Sequence, residues 1–265
     1  MFDYHTPENF DVLDDKTPSW TLTDAAYPSK TTGTTRRCHV ILPPSYSESK
    51  KYPVLYLLHG IGGTEDEWLD GNPVAILSNL SAQGLVSDMV VVIPNVRAAA
   101  DDRVPQDVYG PVNCAAFDNF INDLRDDLMP FITANYSVKT GRENTAIAGL
   151  SMGGRESLFI GVTMSEVFGY VGAFSPAPGL LRLEGMPFPG QISKEDFRIP
   201  SGKPAPFLLL VCNGEQDMIV RTVAAVYVET LTQNGVENLY YTMPGGHDFT
   251  VWKNGLYHFA SRIFR

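Results

Sequence analysis

Cysteine is scarce in this chain: Cys38, Cys114 and Cys212 are the only three in 265 residues, too few and too scattered for a disulfide framework. Cys38 and Cys212 lie in apolar, strand-like runs, so the thiols are expected to be small buried hydrophobes. There is no CxxC, no HExxH and no other metal-ligand spacing, which argues against a structural zinc or any bound metal. Basic residues are also in short supply, 20 Lys and Arg against 30 Asp and Glu, for a formal charge of -10. The two basic pairs, Arg36-Arg37 and Lys50-Lys51, are too short to track a phosphate backbone, so no nucleic-acid partner is expected. No apolar run approaches the roughly 18 residues of a membrane span. The opening residues, MFDYHTPENFDVLDD, lack the basic end and apolar centre of a signal peptide. On that basis the expected location is the cytoplasm, or outside the cell as a mature module whose leader has been removed. Repeats, heptads and low-complexity tracts are absent, and nothing in the pattern fixes an oligomeric state.

What the chain does have is alternation. Short runs rich in Val, Ile, Leu and Tyr occur at 38–42, 53–58, 89–93, 145–148, 170–174, 206–212 and 239–243. Several are apolar throughout, as a strand covered on both faces should be. Between them lie helical patterns. The clearest is 114–135, where Phe117, Phe120, Ile121, Leu124, Leu128, Phe131 and Ile132 recur at three- and four-residue steps. Asp118, Asp123, Asp126 and Asp127 are expected on the wet side of that helix. Further helices are expected at 155–164, at 220–233 with Gly235 as a stop, and at 252–264. Strands alternating with helices predict an α/β fold: a mostly parallel central sheet with helices on both faces. Residues 36–265 are expected to form one domain. Residues 1–35 are expected to be an extension that either adds an edge hairpin or wraps the surface.

In such a sheet, ligands bind beyond the carboxyl ends of the strands, so the loops that follow strands carry the chemistry. Gly149-Leu150-Ser151-Met152-Gly153 fits G-x-S-x-G directly after one strand and directly before a helix, the setting of a nucleophile elbow. A serine nucleophile needs a histidine base, itself oriented by a carboxylate. Of the five histidines, His5 lies in the tail, His39 in an early strand and His258 in the last helix. His247 stands apart, in the loop Pro244-Gly245-Gly246-His247-Asp248 between a strand and the final helix. The acid should fall between serine and histidine in the chain, in Asn213-Gly214-Glu215-Gln216-Asp217. Asp217 is preferred, with Glu215 as rival; Asp248 would have to turn back onto its own neighbour. The oxyanion needs two backbone amides: Met152, after the nucleophile, and Ile61, in His59-Gly60-Ile61-Gly62-Gly63. His59 would support that loop. Two long loops, 95–113 and 179–206, are expected to be functional or mobile.

Together, YPVLYLLHGIGG, AIAGLSMGG and GGHDFTVW resemble the esterase D-like branch of the α/β-hydrolases, and in particular the feruloyl esterases of carbohydrate esterase family 1 attached to bacterial xylanases. The likeness runs from about Arg37 to the C-terminus. It implies an α/β-hydrolase fold, no cofactor, and hydrolysis of feruloyl or related hydroxycinnamoyl esters on the arabinose of xylan. It also implies Ser151 as nucleophile, His247 as base, Asp217 as acid, and Ile61 and Met152 as the oxyanion hole. An aromatic acyl group needs an apolar slot, for which Trp68, Tyr109, Phe188 and Trp252 are the candidates by loop position. Arg155-Glu156 departs from the smaller or uncharged residues more usual after SMGG. The alternatives are an acetylxylan esterase, a short-chain carboxylesterase such as an S-formylglutathione hydrolase, or a non-catalytic carbohydrate-binding module on the same fold.

Overall fold

The computed structural model describes residues 2–14, 16–182 and 192–265. Its strands are β1 (Thr21–Ser29), β2 (Thr34–Leu42), β3 (Val54–Leu58), β4 (Val90–Pro94), β5 (Thr145–Leu150), β6 (Tyr170–Phe174), β7 (Leu208–Gly214) and β8 (Leu239–Met243). They form one sheet in the order β1-β2-β4-β3-β5-β6-β7-β8, antiparallel where β2 meets β1 and β4 and parallel from β4 to β8. Every residue of β3, β4, β5 and β6 is buried. The uniform hydrophobicity of β3 follows from what covers it. Val54, Tyr56 and Leu58 enter one core, and Leu55 and Leu57 enter the other. Each such side chain contributes roughly 1.5–3 kcal/mol relative to exposure.

One face is closed by α1 (Pro73–Ala82) and α7 (Phe249–Ala260), through Ile76, Leu77, Leu80, Val251, Leu256 and Phe259. The other is closed by α5 (Ser151–Thr163), by α6 (Val223–Gln233) and by a broken helix. That break corrects the single helix expected over 114–135. The segment is divided into α2 (Pro111–Asp118), α3 (Phe120–Asp123), a π turn over Leu124–Leu128, and α4 (Met129–Asn135). Pro130 accounts for the π turn ahead of α4, because it has no N–H to return to the preceding turn. The apolar face survives, with Phe117, Phe120, Leu124, Leu128 and Ile132 all fully buried.

The acidic face does not stay wet. Asp126 is exposed, but Asp123 and Asp127 are buried under the β1–β2 hairpin. Asp123 Oδ2 accepts from Tyr27 Oη at 2.7 Å and lies 3.2 Å from Arg36 Nε. Asp127 Oδ2 accepts from the Thr31 amide at 2.9 Å and from Ser29 Oγ at 3.3 Å. Buried carboxylates of this kind are tolerated only when partnered. The N-terminal region does two things. Residues 21–29 add the edge strand, and residues ahead of them cross α1 and α7, where Asn79 Nδ2 donates to the carbonyls of Phe10 and Val12 at 2.9 Å each. Cys38, Cys114 and Cys212 are all buried and unpaired as disulfides.

Candidate active site

Six parallel strands end on one edge of the sheet, and the loops leaving them converge on Ser151. Leu150 is extended at φ -102°, ψ 147°, and Ser151 swings to φ +49°, a left-handed conformation costing about 1–3 kcal/mol for a residue with a side chain. The flanking glycines permit the turn. A Cβ on Gly149 would lie 2.5 Å from the Gly153 carbonyl, and one on Gly153 would lie 2.4 Å from the Leu58 carbonyl oxygen. The start of α5 is therefore pressed against the end of β3 and the strand that feeds it.

His247 comes from the loop between β8 and α7. Its Nε2 is 2.9 Å from Ser151 Oγ and its Nδ1 is 2.8 Å from Asp217 Oδ2. Asp217 follows β7, and its other oxygen accepts from the Ile219 and Val220 amides, both at 3.0 Å. A carboxylate oxygen can only accept, so Nδ1 carries the hydrogen and Nε2 faces the serine as an acceptor. The rival acids lie elsewhere. Glu215 is exposed, and Asp248 caps α7 by accepting from the Thr250 amide at 2.8 Å.

The Gly60–Gly63 loop lies alongside. His59 Nδ1 donates to the Gly60 carbonyl at 2.7 Å, and its Nε2 accepts the Val96 amide at 2.7 Å. Burial pushes this imidazole down to about 4, so it stays neutral and holds the loop. The Ile61 carbonyl accepts from Arg97 Nη2 at 2.9 Å and from Asn113 Nδ2 at 3.4 Å. The Gly60 amide donates to Glu67 Oε2 at 2.6 Å. Burial raises the Glu67 carboxyl above its ordinary range, an effect opposed by that amide. Met152 occupies the first turn of α5, where amides have no intrahelical acceptor.

Ile61, Met152, Ser151 and His247 share the wall of a cavity of about 500 Å³, together with Leu150, Ile219, Val220 and Trp252. Of the four aromatics expected to form an apolar slot, two are there. Trp252 packs edge-on against His247, ring centroids 5.1 Å apart, and Tyr109 stands on the rim, 76% exposed. Trp68 is corrected: it is fully buried behind the Gly60 loop, its indole N–H donating to the Leu58 carbonyl at 2.8 Å, its ring against Phe174 and Phe249. Phe188 lies outside the described residues. Among the described residues, no group of three or more His, Cys, Asp or Glu is placed to hold a metal ion, and no helix is long and apolar enough to cross a membrane.

Residues 29–262 match the model of the family described as "Putative esterase". A CE1 ferulic acid esterase from Anaeromyces mucronatus, solved in complex with ferulic acid, is 37% identical; the match covers 100% of this chain and 98% of that one at a TM-score of 0.92. The chain belongs to the CE1 feruloyl esterases, within the esterase D-like α/β-hydrolases. It is a carboxylic ester hydrolase. The endo-1,4-beta-xylanase/feruloyl esterase of Xylanibacter ruminicola is 28% identical over 245 residues, 89% of this chain. This esterase spans only 30% of that relative's length. The S-formylglutathione hydrolase of Staphylococcus aureus shares the fold, at 21% identity, a TM-score of 0.69, and coverage of 96% of this chain and all of that one.

Sequence reasoning missed the side chains of this esterase that hold the Gly60 loop from behind. Arg97 and Asn113 lie at the two ends of the long loop after β4, and Glu67 follows the glycines by a few residues. The signal available was the length of that loop, which marked the region without marking the residues.

Proposed function

We propose that this esterase hydrolyses feruloyl and related hydroxycinnamoyl esters on the arabinose side chains of xylan through an acyl-enzyme. The observation that carries the reading is the unbroken relay from Ser151 to His247 to Asp217, at 2.9 and 2.8 Å, opening onto a cavity with an apolar wall. Ser151 Oγ attacks the ester carbonyl while His247 Nε2 takes its proton; Asp217 holds the ring and stabilises the imidazolium. The amides of Ile61 and Met152 receive the developing oxyanion. His247 then returns the proton to the departing sugar oxygen, and a water activated by the same nitrogen releases the acid. Ferulate would lie along Trp252, Ile219 and Val220.

The volume favours an aromatic acid over acetate. A cavity of about 500 Å³ leaves an acetyl group without most of its contacts, whereas a hydroxycinnamoyl group fills the space along its walls. The test is hydrolysis of methyl ferulate and 4-nitrophenyl acetate, side by side, by the wild type and by Ser151→Ala. The expected result is efficient cleavage of the ferulate and a loss on the order of 10⁶-fold in the variant. Cleavage of the acetate alone overturns the feruloyl assignment, and an active Ser151→Ala overturns the nucleophile.

A further inference from the structure

The acyl cavity leaves the sugar side of a polysaccharide ester unaccounted for, and a second cavity lies beside it. It measures about 540 Å³ and is formed by the loop after β4 and the first turn of α2, with Arg97, Asp101, Arg103, Val104, Asp107 and Asn113 in its wall. Because β4 runs parallel to β3, this loop leaves the same edge of the sheet as the Gly60 loop.

Two observations join the cavities. Arg97 and Asn113, which line the second, are the side chains that hold the Ile61 carbonyl, and Ile61 lines the first. Tyr109 lines the first cavity while Asp107 and Gly110, on either side of it in the chain, line the second. The tyrosine is thus the ridge between them, and its large exposure gives it a free aromatic face. Val104 and Val112, both exposed, continue that apolar surface along the second cavity.

The lining has the chemistry of a neutral, hydroxyl-rich ligand. Arg103 and Asp101 form a fork-to-fork pair, Nε to Oδ1 at 2.9 Å and Nη2 to Oδ2 at 2.7 Å, which offers planar donors and acceptors with no net charge. Asp107 adds a further acceptor, and the valines, Pro105 and Tyr109 offer flat apolar surface to the C–H faces of a sugar ring. Arg103 is spent on Asp101 and Arg97 on the Gly60 loop, so an anion would face the carboxylate of Asp107 with both guanidiniums already engaged. An apolar ligand would leave the polar groups unmatched.

We infer that this second cavity is an accessory subsite for the xylose backbone bearing the feruloylated arabinose, with Tyr109 as the platform between the sugar and acyl sites. The inference rests on the feruloyl ester reading above. Its test compares the wild type with Arg103→Ala and Val104→Trp, neither of which touches the acyl cavity, on methyl ferulate and on a feruloylated arabinoxylo-oligosaccharide. The wild type should prefer the oligosaccharide by roughly tenfold in kcat/KM, and both variants should lose most of that preference through KM while cleaving methyl ferulate within about twofold of wild type. In parallel, unsubstituted xylotetraose is titrated into the wild type and Val104→Trp by NMR, where perturbations in residues 99–113 should occur in the wild type alone. Unchanged preference in both variants, or xylotetraose that binds neither protein, overturns the subsite. Failure of the wild type to cleave either ferulate instead overturns the reading it rests on, and xylotetraose binding still decides the subsite by itself.

Discussion

Ser151 and Arg155 stand one helical turn apart at the start of α5, and each anchors a polar cluster, but the two clusters are built differently. Around Ser151, the hydroxyl, the imidazole of His247 and the carboxylate of Asp217 are joined in line, and the outer end of the line opens onto the acyl cavity. Around Arg155 everything is sealed. Its guanidinium faces Asp118 of α2 and Glu156 of its own helix and donates to the Gly179 carbonyl at 3.1 Å. Glu156 is fully buried, and burial with Asp118 nearby pushes its carboxyl up to about 7 against the pull of Arg155. The open cluster keeps a reactive atom free for substrate. The closed one ties α5, α2 and the chain after β6 together, and it accounts for the charged pair that looked out of place after SMGG.

That contrast can be broken from either side. The largest effect is expected at the open cluster, from Asp217→Asn. The backbone amides of Ile219 and Val220 would keep the side-chain oxygen, so the new NH₂ would face His247 Nδ1 and force the hydrogen onto Nε2. Turnover should fall by about 10⁴-fold with the melting temperature little changed; steady-state kinetics with a thermal melt checks both. At the closed cluster Arg155→Met should do the reverse, costing about 3–5 kcal/mol in urea unfolding by leaving buried carboxylates without their cation. A variant that melts normally but loses turnover would place Arg155 in the chemistry instead.

Acid should next separate the closed cluster from His59, the histidine behind the Gly60 loop. His59 in the folded protein sits at about 4, below its ordinary 6.5, so the unfolded chain takes the proton first and stability is lost as pH falls through that window. Glu156 is displaced the other way, from 4.5 to about 7, and its contribution is lost as pH rises. The two slopes oppose each other in the wild type. In Glu156→Gln the His59 loss should stand uncovered, ~3 kcal/mol between pH 6.5 and 4; equal slopes in the two proteins would contradict the assignment. The smallest effect is expected from Glu67→Gln, which keeps an acceptor for the Gly60 amide but weakens it: kcat should drop roughly three- to tenfold with KM steady.

The same contrast explains what could be read in the sequence. Ser151, His247 and Asp217 each follow an apolar run and sit among small residues, so strand ends and turn chemistry locate them without knowledge of the fold. Asp123 and Asp127 look like the wet side of a helix because their partners, Tyr27, Ser29, Thr31 and Arg36, lie about a hundred residues away on a hairpin whose first strand alternates too weakly to stand out. Trp68 failed for a related reason. An aromatic in a loop can turn outwards or down, and here the indole lies beneath the loop with its N–H on the Leu58 carbonyl. Spacing reports neighbours along the chain, and these contacts are between strangers in sequence.

The seat of Gly153 on the last carbonyl of β3 has one more consequence. β3 and β5 are paired through Leu58 and Gly149, so the serine and the Gly60 loop are mounted on adjacent rungs of one ladder. Their spacing is set by that pairing, with Val96, Arg97 and Asn113 bracing the Gly60 loop from the adjacent strand's end. The stretch between Arg97 and Asn113 can therefore be exchanged, lengthened or regrafted to suit another polymer while those two residues keep hold of Ile61 and the reacting atoms keep their places, as a chuck accepts different bits without its spindle being recut.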